Sequence, residues 1–104
     1  MEFLDIHLEA GSPPVLRVVG ELDIATADQL RGALVEALAT HRTLVVDMAG
    51  VTFVDASGLR VIIDAAQSLN GQGPLTLANA ALVERLLRIV GLSDIPSIVI
   101  RDER

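Results

Sequence analysis

The stretch at residues 51–59 constrains this chain more than any other. An apolar segment ends there, a carboxylate and a hydroxyl follow at Asp55 and Ser57, and a glycine comes next. The run 60–69 then repeats apolar residues at a period of 3.6. This pattern is typical of a strand that passes into a helix, and it places Asp55 and Ser57 at the helix N-terminus. Free backbone N–H groups at such a position favour polar contacts.

The first part of the chain predicts a hairpin and a helix. Apolar and polar residues alternate over 4–8, as in a half-buried strand, and a β-branched run follows at 15–20 after a Gly/Pro turn. The two runs are therefore expected to form an antiparallel hairpin. Apolar residues recur at helical spacing over 30–38, and Thr26 with Gln29 three residues later predicts a capping box at the start of this helix.

The second half predicts alternating strands and helices. A short apolar run at 44–48, bounded by Gly50, is typical of a buried strand. The helix that begins near Leu59 is expected to end at Asn70-Gly71, and Asn79 is a favourable N-cap for a third helix. Short strands are expected at 75–78 and 97–100, and the apolar residues of the third helix are expected to point inward: Leu82, Val83, Leu86, Leu87 and Val90.

The resulting order is β-β-α-β-α-β-α-β, which predicts an α/β fold. Alternation after the hairpin implies parallel strands joined by right-handed crossovers, so the sheet should be mixed, with four to five strands and three or so helices. A length of 104 residues fits one domain, and we expect residues 1–104 to form it.

Composition excludes several classes of function. The chain carries a net charge of −6 and has no Cys, Tyr or Trp, and all 8 of its basic residues are arginine. An acidic chain without Tyr or Trp provides neither the basic surface nor the stacking side chains that nucleic-acid binding needs. Without cysteine or lysine, it also has no thiol chemistry and no P-loop lysine. There is no apolar run near 20 residues and no signal-peptide pattern at the N-terminus, so we expect a cytoplasmic protein without membrane insertion.

The polar residues at the helix start have an ordinary explanation and a functional one. Either Asp55 or Ser57 can cap the helix, and a hydroxyl there is also well placed to carry a phosphate. A nucleophile elbow around Ser57 would need glycine at positions 55 and 59, which are Asp and Leu here, so no enzyme is expected. Asp23, Asp47 and Asp55 do not match a receiver-like magnesium site, because the chain has no lysine and no adjacent acids after the first strand. We therefore expect no metal or cofactor.

Four segments together resemble the STAS domain, which is shared by bacterial anti-sigma factor antagonists and the cytoplasmic tails of sulfate transporters. The segments are Gly20-Glu21-Leu22-Asp23, Val45-Val46-Asp47-Met48, Phe53-Val54-Asp55-Ala56-Ser57-Gly58-Leu59 and Leu86 to Leu92. The resemblance covers nearly the whole chain. It implies a small STAS-like α/β domain that acts by protein contact and not by catalysis.

The resemblance also implies a partner and a mechanism. Stand-alone members of this size bind an anti-sigma factor that is a serine kinase of the histidine-kinase-like ATPase fold, and they thereby release the sigma factor. Phosphorylation of a serine at the start of the second helix breaks that complex. The corresponding partner-binding positions here are Asp23, Asp55, Ala56, Ser57, Gly58 and Leu59. A homodimer is left open.

Ala56 departs from the family pattern, in which the phosphate-accepting Ser or Thr directly follows the motif aspartate. Three consequences follow, in order of preference. The protein is a permanently active antagonist, or Ser57 is the phosphorylation site one residue along, or the partner is not a kinase. The alternative function is that of a STAS accessory subunit of a membrane transport system, docked on an ATPase or a membrane partner.

Overall fold

The structure, a computed structural model, describes residues 4–69, 71–92 and 95–102. Its elements are β1 (Asp5–Glu9), β2 (Val15–Leu22), α1 (Ala27–Thr40), β3 (Val45–Val54), α2 (Ala56–Gln67), β4 (Leu75–Ala78), α3 (Ala81–Ile89) and β5 (Ile98–Arg101). The five strands form one sheet in the order β1-β2-β3-β4-β5, with β1 antiparallel to β2 and the other pairs parallel. The predicted α/β class, element order and mixed sheet are confirmed.

The helices cover one face of this sheet. Buried and exposed residues alternate along β2: Leu16 and Val18 are buried, and Arg17 and Val19 are exposed. This alternation is expected for a strand with one face on the core. All three helices contribute to the same hydrophobic core, through Leu30, Leu34, Val61, Ile62, Val83 and Leu87. The sheet thus holds the helices as one layer, and the starts of α1 and α2 lie at its edge.

Strand β3 is longer than the sequence predicted. The expected strand at 44–48 continues through Gly50 to Val54, with register shifts in its pairing to β2. Gly50 pairs with Val19, and a Cβ on Gly50 would lie 2.7 Å from Val19 Cγ2. The prediction was wrong in its C-terminal bound because Gly50 permits a close approach at an irregular strand position and does not end the strand.

The predicted capping box at α1 is not formed. Gln29 instead pairs with the backbone of Leu4: its Oε1 accepts from Leu4 N at 3.0 Å and its Nε2 donates to Leu4 O at 2.7 Å. The Thr26 hydroxyl donates to Glu21 O at 2.7 Å and makes no capping bond to α1. Partners outside the helix, Leu4 for Gln29 and Glu21 for Thr26, replace the bonds within the helix start that the spacing of these residues predicted.

Two further predictions about helix ends are changed. Asn79 does not cap α3, because Ala80 is the N-cap; Asn79 has a φ of +55° and its Nδ2 donates to Asp47 Oδ1 at 3.3 Å. This agrees with the tolerance of asparagine for the left-handed region. Helix α2 ends at Gln67 with Ser68 as C-cap. Of the predicted stop, Gly71 has a φ of +80°, while Asn70 lies outside the described residues.

Helix α3 buries fewer apolar residues than expected. Val83 and Leu87 are buried as predicted and Leu86 is half-buried, whereas Leu82 and Val90 are exposed, so their inward assignment was wrong. The core beneath α3 meets only a narrow stripe of the helix, which leaves the flanking apolar residues outside. No helix in the described part of the chain is long and apolar enough to span a bilayer.

Candidate functional site

The sheet brings Asp23 and Asp55 to the same edge. Leu22 and Val54 are register partners in the parallel pair of β2 and β3, and each aspartate directly follows one of them. Asp55 N donates to Leu22 O at 3.0 Å, which ties the start of α2 to the end of β2. The carboxyl ends of neighbouring parallel strands meet at one edge, so the loop after β2 and the first turn of α2 form one surface.

Asp55 is the N-cap of α2. The sequence had offered either Asp55 or Ser57 for this role. The Oδ1 of Asp55 accepts from Ser57 N at 2.8 Å and from Gly58 N at 3.2 Å, and its carbonyl oxygen accepts from Leu59 N at 3.0 Å. Its backbone is extended, with φ of −113° and ψ of −173°, as N-cap residues usually are. The cap uses the backbone and not the side chain of Ser57, so that hydroxyl is left for other contacts.

The six predicted contact positions divide by depth. Ala56 is exposed, and Asp55, Ser57 and Asp23 are half-buried. Gly58 and Leu59 are buried, the latter being 5% exposed and part of the core cluster. The structure therefore gives the first four an outer position, while Gly58 and Leu59 hold the first turn of α2 against the sheet.

The loop that carries Asp23 is fixed by hydrogen bonds. Asp23 Oδ1 accepts from Ala25 N at 2.9 Å and from Thr26 N at 3.1 Å. Thr26 is only 1% exposed, and its Oγ1 accepts from Asp23 N at 3.0 Å while donating to Glu21 O. A loop closed in this way presents its remaining residues in a defined position.

Ile24, at the tip of this loop, was missed by the sequence analysis. Its side chain is 82% exposed, the highest value among the exposed large apolar residues of the described chain. A single exposed aliphatic side chain is common on protein surfaces, and here it adds apolar area next to the predicted contact position Asp23. The signal that could have found it is an isoleucine inside an otherwise polar turn, Asp23 to Thr26.

Arginines beside Ser57 were also missed. An open groove of about 450 Å³ is lined by Ala56 and Ser57 together with Arg31, Arg60 and Asp64. Arg31 Nη1 lies 3.3 Å from Asp64 Oδ2, and Arg60 Nε lies 3.8 Å from the same oxygen. Arg31 comes from α1 and the other two from α2, so only the packing of the two helices brings these charges together.

Asp47 does not join the other two aspartates. It is the third residue of β3, eight positions before Asp55, and strand geometry separates them by about 26 Å along the chain. Its carboxylate receives hydrogen bonds from Arg17, from Asn79 Nδ2 and from Ala49 N. Within residues 4–69, 71–92 and 95–102, no group of three or more His, Cys, Asp or Glu is arranged to hold a metal ion.

Comparison with known proteins gives one family and one fold. The family described as "Mlab, STAS domain" matches residues 8–100. An anti-sigma factor antagonist from Mycobacterium paratuberculosis superposes with a TM-score of 0.78 at 23% identity, covering 92% of this chain and 85% of that one.

Two structures of SpoIIAA share the same fold. The anti-sigma factor antagonist SpoIIAA in its unphosphorylated form gives a TM-score of 0.71 at 22% identity, over 96% of this chain and 90% of that chain. The Bacillus cell fate determinant SpoIIAA in its phosphorylated form gives 0.69 at 23% identity, over 96% and 92%. Similarity at this level of identity establishes a common fold.

Proposed function

The chain belongs to the STAS domain family, and we propose that within this family it acts as an anti-sigma factor antagonist. It binds an anti-sigma factor of the histidine-kinase-like ATPase fold by protein contact, without catalysis, and so releases the sigma factor in the cytoplasm. The family match and the fold shared with two antagonists support this proposal.

The observation that carries the proposal is the surface formed by Asp23, Ile24, Asp55, Ala56 and Ser57, which we call the α2-start surface. Asp23 and Asp55 are half-buried, Ile24 next to Asp23 is exposed, and hydrogen bonds fix both segments before any partner arrives. A preorganised contact surface loses little entropy on binding. Gly58 and Leu59 contribute by holding this surface in place.

Ala56 makes the antagonist insensitive to phosphorylation at the position that the family uses. The side chain is exposed on the first turn of α2, where a phosphate on a hydroxyl would lie close to the Asp55 carboxylate. Added charge near −2 at a contact surface breaks a complex by repulsion and desolvation. Without the hydroxyl the complex persists in the presence of ATP. We propose this permanent activity in preference to phosphorylation at Ser57.

The test restores the missing acceptor. The wild-type protein, Ala56→Ser and Ser57→Ala are each incubated with the anti-sigma factor kinases of the source organism and ATP, and are then weighed intact. We expect unmodified wild-type protein that stays bound, and a phosphorylated, released Ala56→Ser variant. Phosphate on the wild type that disappears in Ser57→Ala would move the acceptor to Ser57. Absence of binding to every such kinase would refute the antagonist function.

The alternative is an accessory subunit of a membrane transport system that docks on an ATPase or a membrane partner. One observation favours it: Ala56 lacks the hydroxyl that a kinase partner would modify. A tagged chain purified from the native cell discriminates the two functions. Recovery of a sigma-factor kinase supports the first, and recovery of transport proteins supports the second.

A further inference from the structure

Strand β2 shows which backbone groups bond to each of its neighbours. Val45 N donates to Pro14 O at 3.1 Å and Asp55 N donates to Leu22 O at 3.0 Å. The even-numbered residues near both ends of β2 therefore direct their backbone groups toward β3. Successive residues of a strand direct these groups to opposite sides, so the odd-numbered residues of β2 bond to β1.

Strand β1 is the last strand on its side of the sheet and has an open edge. The antiparallel register pairs its odd-numbered residues with those of β2, from Asp5 opposite Val19 to Glu9 opposite Val15. The even-numbered residues Ile6 and Leu8 therefore each direct an N–H and a C=O away from β2. Such a row of outward backbone groups is a template on which another strand can pair.

The side chain of Gln29 already occupies the next position along this edge. Leu4 lies two residues before Ile6, so its backbone groups point to the same side. Gln29 Oε1 accepts from Leu4 N at 3.0 Å, and Gln29 Nε2 donates to Leu4 O at 2.7 Å. These are the two bonds that a paired residue of a neighbouring strand would make. At Leu4 the side-chain amide thus stands in for the backbone of an added strand.

A groove lies between this edge and α1. We call it the β1–α1 groove and define it by Ile6 and Leu8 of β1 and Ala33, Glu36 and Thr40 of α1. Its volume is about 290 Å³, Ile6 packs against the core, and Leu8 is 41% exposed. Residues that lie opposite each other in paired strands share one face of the sheet. An added strand would therefore direct the side chains opposite Ile6 and Leu8 into this groove.

The charge around β1 indicates which kind of segment fits. Glu36 lines the groove and Asp5 begins β1, and neither carboxylate forms an ion pair within the described part of the chain. Arg17, on the neighbouring strand β2, is already shared between Glu9 and Asp47. A segment with a basic side chain is therefore complementary to this edge, whereas an acidic segment is repelled.

A second copy of this chain is a poor occupant of the edge. Two β1 strands that use all of their outward groups pair in antiparallel register about His7, with Asp5 of each copy opposite Glu9 of the other. Each such pair sets two carboxylates against one arginine, Arg17, which Asp47 also engages. Like charges opposite one another destabilise a strand pair, so the edge favours a segment of another protein.

We propose that the β1 edge and the β1–α1 groove bind an extended segment of a partner protein, which joins the sheet as a further strand beside β1. Its backbone bonds to Ile6 and Leu8, its aliphatic side chains at alternate positions enter the groove, and a Lys or Arg beside them meets Glu36. None of these residues belongs to the α2-start surface, so the proposal does not depend on the antagonist function.

Selection from a random peptide library tests this proposal without an identified partner. Eight-residue peptides displayed on phage are selected against the full chain, and the affinity of enriched peptides is measured by fluorescence anisotropy. We expect Leu, Ile or Val at two alternate positions, together with Lys or Arg. Leu8→Asp should weaken binding by about tenfold or more, and Glu36→Gln by about threefold.

Methylation of the peptide nitrogens distinguishes strand pairing from apolar contact alone. Only every second N–H of an added strand bonds to β1, so N-methyl groups should weaken binding by about tenfold at alternate positions and little at the positions between them. In the protein, amide hydrogen exchange measured by NMR should slow by about tenfold or more at Ile6 and Leu8 when the peptide binds. A loss of affinity that does not alternate, or unchanged exchange at both residues, overturns the proposal.

Val99→Asp provides the matched control on the opposite edge strand, β5, because Val99 is 38% exposed and Leu8 is 41% exposed. This variant should keep full peptide affinity, and circular dichroism should show native folding in all variants. Enrichment of no peptide, or of peptides sensitive to Val99→Asp but not to Leu8→Asp, overturns the proposal. A homodimer that Leu8→Asp dissociates, measured by light scattering, also overturns it by showing a second copy as occupant. Loss of kinase binding tests only the antagonist function.

Discussion

Gly58 and Leu22 approach so closely that no side chain fits between them. A Cβ on Gly58 would lie 2.8 Å from Leu22 Cβ and 3.0 Å from Leu22 O. This contact sets the first turn of α2 directly on the end of β2. It fixes where Asp55, Ala56 and Ser57 stand relative to the loop after β2.

Gly58→Ala should destabilise the fold by about 1–3 kcal/mol, because the added methyl meets backbone and Cβ atoms that cannot rotate away. The free energy of unfolding is measured in urea by far-UV circular dichroism, since the chain has no Trp or Tyr. The control is Gly32→Ala in α1, where a Cβ would meet nothing within 4 Å. That change should stabilise the protein by about 0.5–1 kcal/mol. Equal effects of the two variants would contradict the packing argument.

Asp55→Ala should cost about 1 kcal/mol of stability, because the backbone N–H groups of Ser57 and Gly58 lose their acceptor. Asp55→Asn keeps an acceptor oxygen and should cost only about a few tenths of a kcal/mol, since asparagine is as effective an N-cap as aspartate. The comparison also separates charge from structure in partner binding. Affinity lost in the folded Asn variant would show that the partner needs the carboxylate charge. Equal stability of the Ala and Asn variants would be inconsistent with a capping role.

Thr26→Val should destabilise the protein by about 1–3 kcal/mol, because it leaves Glu21 O and Asp23 N without the hydroxyl that serves both. Thr26→Ser keeps the hydroxyl and loses one methyl group, so it should cost about 0.8 kcal/mol. Urea denaturation gives both values. A serine variant as unstable as the valine variant would show that the methyl group, and not the hydrogen bonds, stabilises the loop.

Stability should fall in acid through Glu9. Arg17 Nε donates to Glu9 Oε2 at 2.8 Å, and this bond lowers the pKa of Glu9 below 4.5. A carboxyl with a lowered pKa in the folded state stabilises the fold above its unfolded pKa and ceases to do so as the pH falls through the folded value. The urea midpoint of the wild type should therefore exceed that of Glu9→Gln at about pH 6, and the difference should vanish at about pH 2.

Because both side chains of this pair are exposed, the difference should also shrink in about 1 M salt. A midpoint difference that persists in acid and in high salt would assign the effect to packing of the Glu9 side chain and not to its charge.

The type and order of the elements were determined by local sequence alone. Alternation in β1 and the 3.6-residue period of α2 are properties of neighbouring residues, and the fold does not change them. The strand-to-helix transition at Asp55 was likewise predicted correctly. It depends on a cap residue that bonds to N–H groups only two and three positions away.

Contacts between distant segments were decided by the tertiary structure. Gln29 bonds to Leu4 and not to its own helix start, and Gly50 continues β3 because Val19 of the neighbouring strand lies against it. The pairing of Arg31 with Asp64 joins two helices whose positions come from the sheet beneath them. Hydrogen-bond acceptors and charges that lie far apart in sequence carry no periodic signal. The elements could therefore be predicted, whereas the β1–α1 groove and the α2-start surface became visible only when the helices were packed.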